Sequence, residues 1–225
     1  MERVSAAGNS SRGSRRPIGV KLPPPLAPAY DPQFMTPRSA IRPHQLREKA
    51  QLMSPSEIER TLVRLAHEIN ERNNGVADVV LVGIRRRGVP LAQRLGKLLQ
   101  RIEKKDIPVG VLDISLYRDD LTTLGPKPVV HKTDIGVPVE GNVVILIDDV
   151  LYTGRTVRAA MDALFAHGRP KRVQFCVLID RGHRELPVEA TFVGRRIQTQ
   201  ESEIVEVQLK ETDDAEKVLL VEKVS

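Results

Sequence analysis

The 225-residue chain contains no tryptophan, only three tyrosines and four phenylalanines, and a single cysteine. So few aromatics leave the core to aliphatic side chains. Their scarcity also weakens any reading that needs stacking platforms, such as single-strand grooves or sugar clefts. A lone thiol closes no internal disulfide, and no Cys/His spacing suits zinc. Cys176, inside the aliphatic run 172–179, reads as a small buried strand residue. No apolar run reaches the length of a membrane span, and the secretory pattern of charged start, apolar stretch and small-residue cleavage site is missing. No membrane partner is therefore expected, and the default location is cytoplasmic. Neither G-x-x-x-x-G-K-[ST] nor G-x-G-x-x-G occurs, which removes the main support for an ATPase or a dinucleotide enzyme.

Charge is plentiful but unevenly placed. The formal net charge is +6. Residues 1–47 carry eight Lys/Arg against Glu2 and Asp31, which leaves 48–225 balanced at 27 basic and 27 acidic residues. The excess belongs to the extension and says nothing of a nucleic-acid face on the remainder. The same 47 residues hold eight of the sixteen prolines, including Pro23-Pro24-Pro25, with no helical or alternating pattern. A disordered basic extension over 1–47 and one domain over 48–225 are expected. The extension reads as a polar spacer or as a segment ahead of a second start at Met35. An electrostatic RNA arm is the alternative that gives it a function.

From residue 48 onward the chain alternates strand and helix. Lys49–Met53 predicts a short strand. Ser54-Pro55-Ser56-Glu57 combines an N-cap serine, a proline at the first helical position and a capping-box glutamate. The apolar stripe Ile58, Leu62, Leu65, Ala66, Ile69 continues that helix until Asn73-Asn74-Gly75. Val79–Val82 predicts a buried strand. Pro90 opens a helix with Leu91, Leu95, Leu98, Leu99 and Ile102 on one face. Val109–Tyr117 predicts a strand, and a long polar stretch follows. Val143–Ile147 is an interior strand, Thr156–His167 a helix stopped by Gly168, and Arg172–Ile179 a further strand. Shorter β-like runs follow near 191–193, 204–209 and 218–221. This order implies an α/β fold with a parallel sheet and right-handed crossovers.

One string carries the chemistry: Val144-Ile145-Leu146-Ile147-Asp148-Asp149-Val150-Leu151-Tyr152-Thr153-Gly154-Arg155-Thr156. An aliphatic strand runs into two carboxylates and a Thr/Gly loop. A helix follows, with Val157, Ala160, Met161, Leu164 and Phe165 expected inward. Ligands of open parallel sheets bind at the carboxyl ends of strands. Backbone N–H groups of Thr153–Thr156 at the helix start make a phosphate site, with Gly154 allowing close approach. Carboxylates beside a phosphate site make sense if the ligand offers phosphate at one end and hydroxyls at the other. A phosphorylated ribose meets both requirements, and the carboxylates can support a positively charged sugar transition state.

Val144 to Thr156 resembles the 5-phosphoribosyl-1-pyrophosphate (PRPP) signature of type I phosphoribosyltransferases. Together with Leu116–Leu121, Asp149–Arg158 and Asp180–Pro187 it resembles the bifunctional pyrimidine operon regulator and uracil phosphoribosyltransferase family, PyrR, over about residues 48–210. The resemblance implies a parallel sheet flanked by helices with a small hood. It also implies that Val144–Thr156 bind PRPP, with Asp148 and Asp149 on the ribose hydroxyls and Thr153–Thr156 on the 5-phosphate. Arg85, Arg86, Arg87 and Gly88 match the pyrophosphate loop. Three arginines at a strand end suit a doubly anionic leaving group. Arg118 is the candidate for stabilising departing pyrophosphate, within a closing loop over Arg118–Pro138. Asp180, Arg181, Ile197 and Ser202 match the base pocket. There Gly194-Arg195-Arg196-Ile197-Gln198-Thr199-Gln200 departs from the family's G-K-N-[IV]-P-T-S run. Mg²⁺ is expected to arrive on PRPP, with no dedicated protein metal site.

On the first helix Arg60, Arg64 and His67 lie opposite the apolar stripe, which by itself reads as a solvated face. The resemblance makes them an RNA surface together with Arg181, His183 and Arg184; RNA loops are read by arginine stacking and hydrogen bonds. Val63 stands where relatives often carry Thr. The implied partners are uracil, UMP and UTP, the mRNA leader of pyrimidine genes controlled by transcription attenuation, and further copies of the chain. Two alternatives stay open: a regulator with little or no turnover, and a plain transferase. A PRPP synthetase shares the Asp-Asp and Thr-Gly string but needs a longer chain with an ATP site.

Overall fold

Residues that are apolar at every position, rather than at alternate ones, belong in strands covered on both faces. The computed structural model, which describes residues 46–114 and 135–223, builds such a sheet. Its strands β2 (Val79–Ile84), β3 (Val109–Leu112), β4 (Val143–Leu151), β5 (Arg172–Asp180) and β6 (Phe192–Arg196) lie in the order β3-β2-β4-β5-β6. All neighbouring pairs are parallel. Strand alternation sends Val79, Leu81, Val143, Ile145, Ile147 and Leu178 into one core. It sends Val80, Val82, Val144, Leu146, Phe175 and Val177 into another.

The first core is closed by helices α1 (Pro55–Arg72) and α2 (Gly88–Glu103). All five predicted stripe residues of α1 are buried. Its start is tied as the sequence suggests, with the Glu57 carboxylate accepting from Ser54 N at 2.8 Å and from Ser54 Oγ at 2.7 Å. Helix α2 begins at Gly88, two residues before Pro90. Gly88 is a packing residue here: a Cβ on it would meet the carbonyl oxygen of Ile147 at 2.2 Å. The second core is closed by α3 (Arg155–Phe165). Its inward residues are Val157, Ala159, Ala160, Ala163 and Leu164. Phe165, expected inward, is 54% exposed, because the alanines take the sheet-facing positions and Phe165 falls at the helix end.

Strand β3 stops at Leu112, shorter than the run 109–117 suggested. The chain returns at Ile135, which is buried and whose carbonyl accepts from Val111 N at 3.2 Å. The end of the expected closing loop is thus anchored to the sheet edge. A second, antiparallel sheet forms the hood, with order β1-β8-β7: β1 (Leu46–Met53), β7 (Glu203–Gln208) and β8 (Lys217–Lys223). Between β7 and β8 lies the single turn α4 (Lys210–Asp213). Met53, Val205, Val207, Leu209 and Val218 join the core of α1 and α2, so the hood covers that side of the molecule. Residues 1–45 of the expected extension lie outside the described residues.

Candidate active site

The carboxyl end of β4 is where both cores run out. Val144, Ile145, Leu146 and Ile147 are at most 1% exposed. These four residues of the expected PRPP segment lie in the cores beneath, and the pocket-lining part begins at Asp148. Strand alternation then separates the two aspartates. Asp148 lines a pocket of about 460 Å³ with Val150–Val157 and Phe175. Asp149 stands on the α2 side, near enough that its charge stabilises the Arg87 guanidinium. Each carboxylate accepts from the next backbone N–H: Asp149 N to Asp148 Oδ1 at 2.9 Å and Val150 N to Asp149 Oδ1 at 3.0 Å. Asp148 is 7% exposed. Burial first, and the adjacent Asp149 second, push its carboxyl well above the usual carboxylate range. A positively charged ligand would be welcome at such a position.

The floor of the pocket is the start of α3. Gly154, with φ of 92°, lets the chain turn into the helix; a Cβ there would lie 3.3 Å from Leu186 Cβ. Thr153 O accepts from the backbone N–H groups of Glu185 and Leu186 at 3.0 and 3.1 Å. Arg155 Nε donates to Glu185 at 2.6 Å. The expected phosphate loop is therefore braced by the segment after β5. Within that loop Arg155 N donates to Thr153 Oγ1 at 3.4 Å, and a helix N-terminus is the kind of backbone end that suits an anion.

The three arginines of the expected pyrophosphate loop differ in their surroundings. The loop is framed by Gly83 and Gly88, which touch: a Cβ on Gly83 would come 2.6 Å from the Gly88 carbonyl oxygen. Arg85 is exposed and pairs with Asp113 at 3.4 Å. Arg86 is exposed and makes no ion pair among the described residues. Arg87 forms a two-pronged pair with Asp213, Nε to Oδ2 at 3.0 Å and Nη2 to Oδ1 at 2.7 Å. Hydrogen bonding holds Arg87 above its usual value and Asp213 below the usual carboxylate range. Arg118 lies outside the described residues, as does most of the expected closing loop.

The expected base and RNA residues after β5 form one clamp. Asp180 Oδ1 accepts from Gly182 N at 3.1 Å and Arg184 Nη2 at 2.6 Å. Arg184 also donates to the carbonyls of Val188, Tyr152 and Gly182 at 2.9–3.0 Å. Arg181 is 5% exposed. It donates to Thr199 Oγ1 and Gln200 O, both at 3.1 Å, and its guanidinium lies 4.1 Å from the centre of the Tyr152 ring. Burial lowers its pKa. His183 Nε2 is 2.7 Å from Thr199 O. Ile197 N donates to Asp180 O at 2.9 Å, and Asp180 and Ile197 share a pocket that also includes Arg196. Ser202 is exposed in the turn before β7 and lines none of these pockets. Arg60, Arg64 and His67 are exposed along α1, and Arg60 and Arg64 line a groove with Gly194 and Arg195. Sequence reasoning missed Phe175 and Asp213. Neither sits in a motif; only the three-dimensional return of the chain brings them to the site.

Among the described residues, no group of three or more His, Cys, Asp or Glu could hold a metal ion, and no helix is long and apolar enough to cross a membrane. A family profile described as the phosphoribosyl transferase domain matches residues 50–212. A relative from Thermoanaerobacter sp. (strain X514), called bifunctional protein PyrR, is 58% identical over 175 residues, covering 78% of this chain and 98% of the relative.

The chain belongs to the PyrR family of phosphoribosyl transferases.

The PyrR protein of Thermus aquaticus is 52% identical over 178 residues, covering 79% of this chain and 98% of its own. Solved structures agree on the fold. A hypoxanthine-guanine phosphoribosyltransferase from Bacillus anthracis matches with a TM-score of 0.58 at 22% identity, over 80% of this chain and 100% of that one. The hypoxanthine phosphoribosyltransferase of Trypanosoma cruzi matches with a TM-score of 0.60 at 16% identity, over 79% and 98%. The portion in common with the PyrR relatives covers nearly all of their length.

Proposed function

We propose that the protein transfers the phosphoribosyl group of PRPP to uracil, giving UMP and diphosphate, and regulates pyrimidine genes by nucleotide-dependent binding to their mRNA leaders. The observation that carries the first half is the end of β4. A buried carboxylate and a helix N-terminus line one pocket, and arginines stand across the strand. The 5-phosphate of PRPP fits the N–H groups of Thr153–Thr156, and Asp148 and Asp149 accept from the ribose hydroxyls. Mg²⁺ enters as part of the substrate, on the oxygens of PRPP, where hard carboxylate oxygens nearby suit it. The C1–O bond to diphosphate breaks, positive charge grows on the sugar, and a uracil ring nitrogen attacks C1 and loses its proton. The carboxylates stabilise that charge, while Arg85, Arg86, Arg87 and Arg118 receive the diphosphate. No covalent nucleophile is required.

The bifunctional naming of relatives at 52–58% identity supports the second half. Arg60, Arg64 and His67, with the edge of the 181–184 loop, form its RNA surface, and UMP or UTP strengthens binding by linkage. The protein works as a homo-oligomer in the cytoplasm. A second reading, regulation with weakened turnover, is favoured by one observation: Arg196 brings a cation to 4.0 Å from Asp180 in the base region.

The test combines purified protein, Mg²⁺, PRPP and uracil. UMP should form, and Asp149→Asn should lose about 2 kcal/mol or more of transition-state stabilisation, comparable to one removed oxyanion-type donor. Equal turnover of hypoxanthine would overturn the uracil assignment. No turnover, with PRPP still bound, would leave the regulatory reading alone.

A further inference from the structure

The carboxylate of Asp213 is surrounded by donors from three directions. Oδ1 accepts from Arg87 Nη2 at 2.7 Å. Oδ2 accepts from Arg87 Nε at 3.0 Å, Thr212 Oγ1 at 2.6 Å and Leu209 N at 3.0 Å. The last two bonds lie within the α4 turn, so the turn fixes the carboxylate before the arginine meets it. Arg87 is likewise fixed at its own end, where Gly88 is pressed against the Ile147 carbonyl. Two-pronged pairing through Nε and Nη2 sets the plane of the guanidinium and leaves Nη1 without a hydrogen bond among the described residues. A second carboxylate, Asp149, acts on the same cation from the β4 side.

We propose that Asp213 is a positioning residue for the transfer reaction: it holds Arg87 by one edge, so that the other edge faces the diphosphate of PRPP and stays off Asp149. This rests on reading 85–88 as the pyrophosphate loop. Carboxylates compete for this one cation. A guanidinium between two carboxylates goes to the one that offers better geometry. With Asp213 gone, Asp149 and Glu206 are the carboxylates that still act on Arg87, and an Arg87–Asp149 pair would occupy the anion-binding donor and the ribose carboxylate at once. Asp213 reaches the site from the hood, which follows the base segment 197–202 directly in the chain. The hood therefore contributes to the diphosphate end of the site.

The experiment measures Mg²⁺–pyrophosphate binding by calorimetry and steady-state kinetics on the full chain, with thermal melting to verify folding. Asp213→Ala should weaken Mg²⁺–pyrophosphate binding and raise the KM for PRPP by about tenfold, while the KM for uracil stays within about twofold. Asp213→Asn, which keeps the shape and one acceptor, should fall between and serves if the alanine variant does not fold. In an Arg87→Ala background, Asp213→Ala should add nothing further. A folded Asp213 variant that binds Mg²⁺–pyrophosphate like the wild type would overturn the assignment. So would equal losses toward uracil and PRPP, which would mark a general structural role. If the wild type itself binds neither PRPP nor pyrophosphate, the pyrophosphate-loop reading fails first and takes this one with it, an outcome distinct from the other two.

Discussion

Two clusters of basic residues, on α1 and after β5, look alike in the sequence and differ in the structure. On α1, Arg60 is exposed with no hydrogen bond among the described residues, and His67 is exposed beside it. Arg64 is partly engaged, with Glu68 and with the Val193 and Gly194 carbonyls at 3.2 and 2.5 Å. After β5, Arg184 directs four hydrogen bonds inward and Arg181 is buried over Tyr152. A positive charge counted in a sequence is not a charge offered to a partner. The guanidinium has five fixed donors, and what matters is how many still point outward. On that ground the proposed RNA contact falls chiefly on α1, while the 181–184 loop braces the strand ends.

The largest effect that would test this contrast is on stability. Arg184→Ala should destabilise the protein by about 2–3 kcal/mol, because it removes the charged partner of Asp180, which keeps only the Gly182 N–H on Oδ1, and the side-chain donor of three carbonyls. Urea denaturation measures it. Unchanged stability with a loss of RNA binding would break the contrast by making Arg184 an RNA contact after all. Next come the helix arginines. Arg60→Ala and Arg64→Ala should each weaken leader-RNA binding by about 1 kcal/mol and reduce the salt slope by about one, as a lost phosphate contact does. Arg60→Ala should leave the melting temperature unchanged, whereas Arg64→Ala should lower it slightly through the lost bonds to β6. The smallest effect is expected from deleting residues 1–44. Melting temperature and transfer activity should hold, and discrimination of leader from scrambled RNA at fixed salt should survive. A tail-deleted protein that cannot tell the two RNAs apart with UMP present would remove the regulatory half of the proposal.

Contiguity decided what could be read in advance. The strand, carboxylates, loop and helix of Val144–Thr156 are consecutive, so local rules sufficed to place a loop and helix start next to two aspartates, where the structure has a pocket. The stripe and capping box of α1 were legible for the same reason. The split of Asp148 and Asp149 onto opposite faces follows from strand geometry once β4 extends to Leu151, two residues beyond Asp149. Helix α2 starts early because Gly88 answers to a carbonyl on another strand, a constraint with no local sign. Asp213 is 126 residues from its partner Arg87, within a polar stretch that no periodicity marks. Interactions between distant segments have no signature in the neighbourhood of either residue.

The hood closes with the first strand of the fold against the last: Leu46 faces Lys223 and Met53 faces Val218. A ribosome delivers β1 early and β8 at the end, so β1 waits with an open edge while the parallel sheet is being made. Contacts of such long sequence separation form late, after the loop entropy between them has been overcome. The turn carrying Asp213 hangs between β7 and β8 and settles only when β8 arrives. A nascent chain would therefore own a folded sheet, complete with Asp148 and Asp149, before it owned a correctly aimed Arg87. On this order the diphosphate end of the site would be completed after the 5-phosphate end at the start of α3.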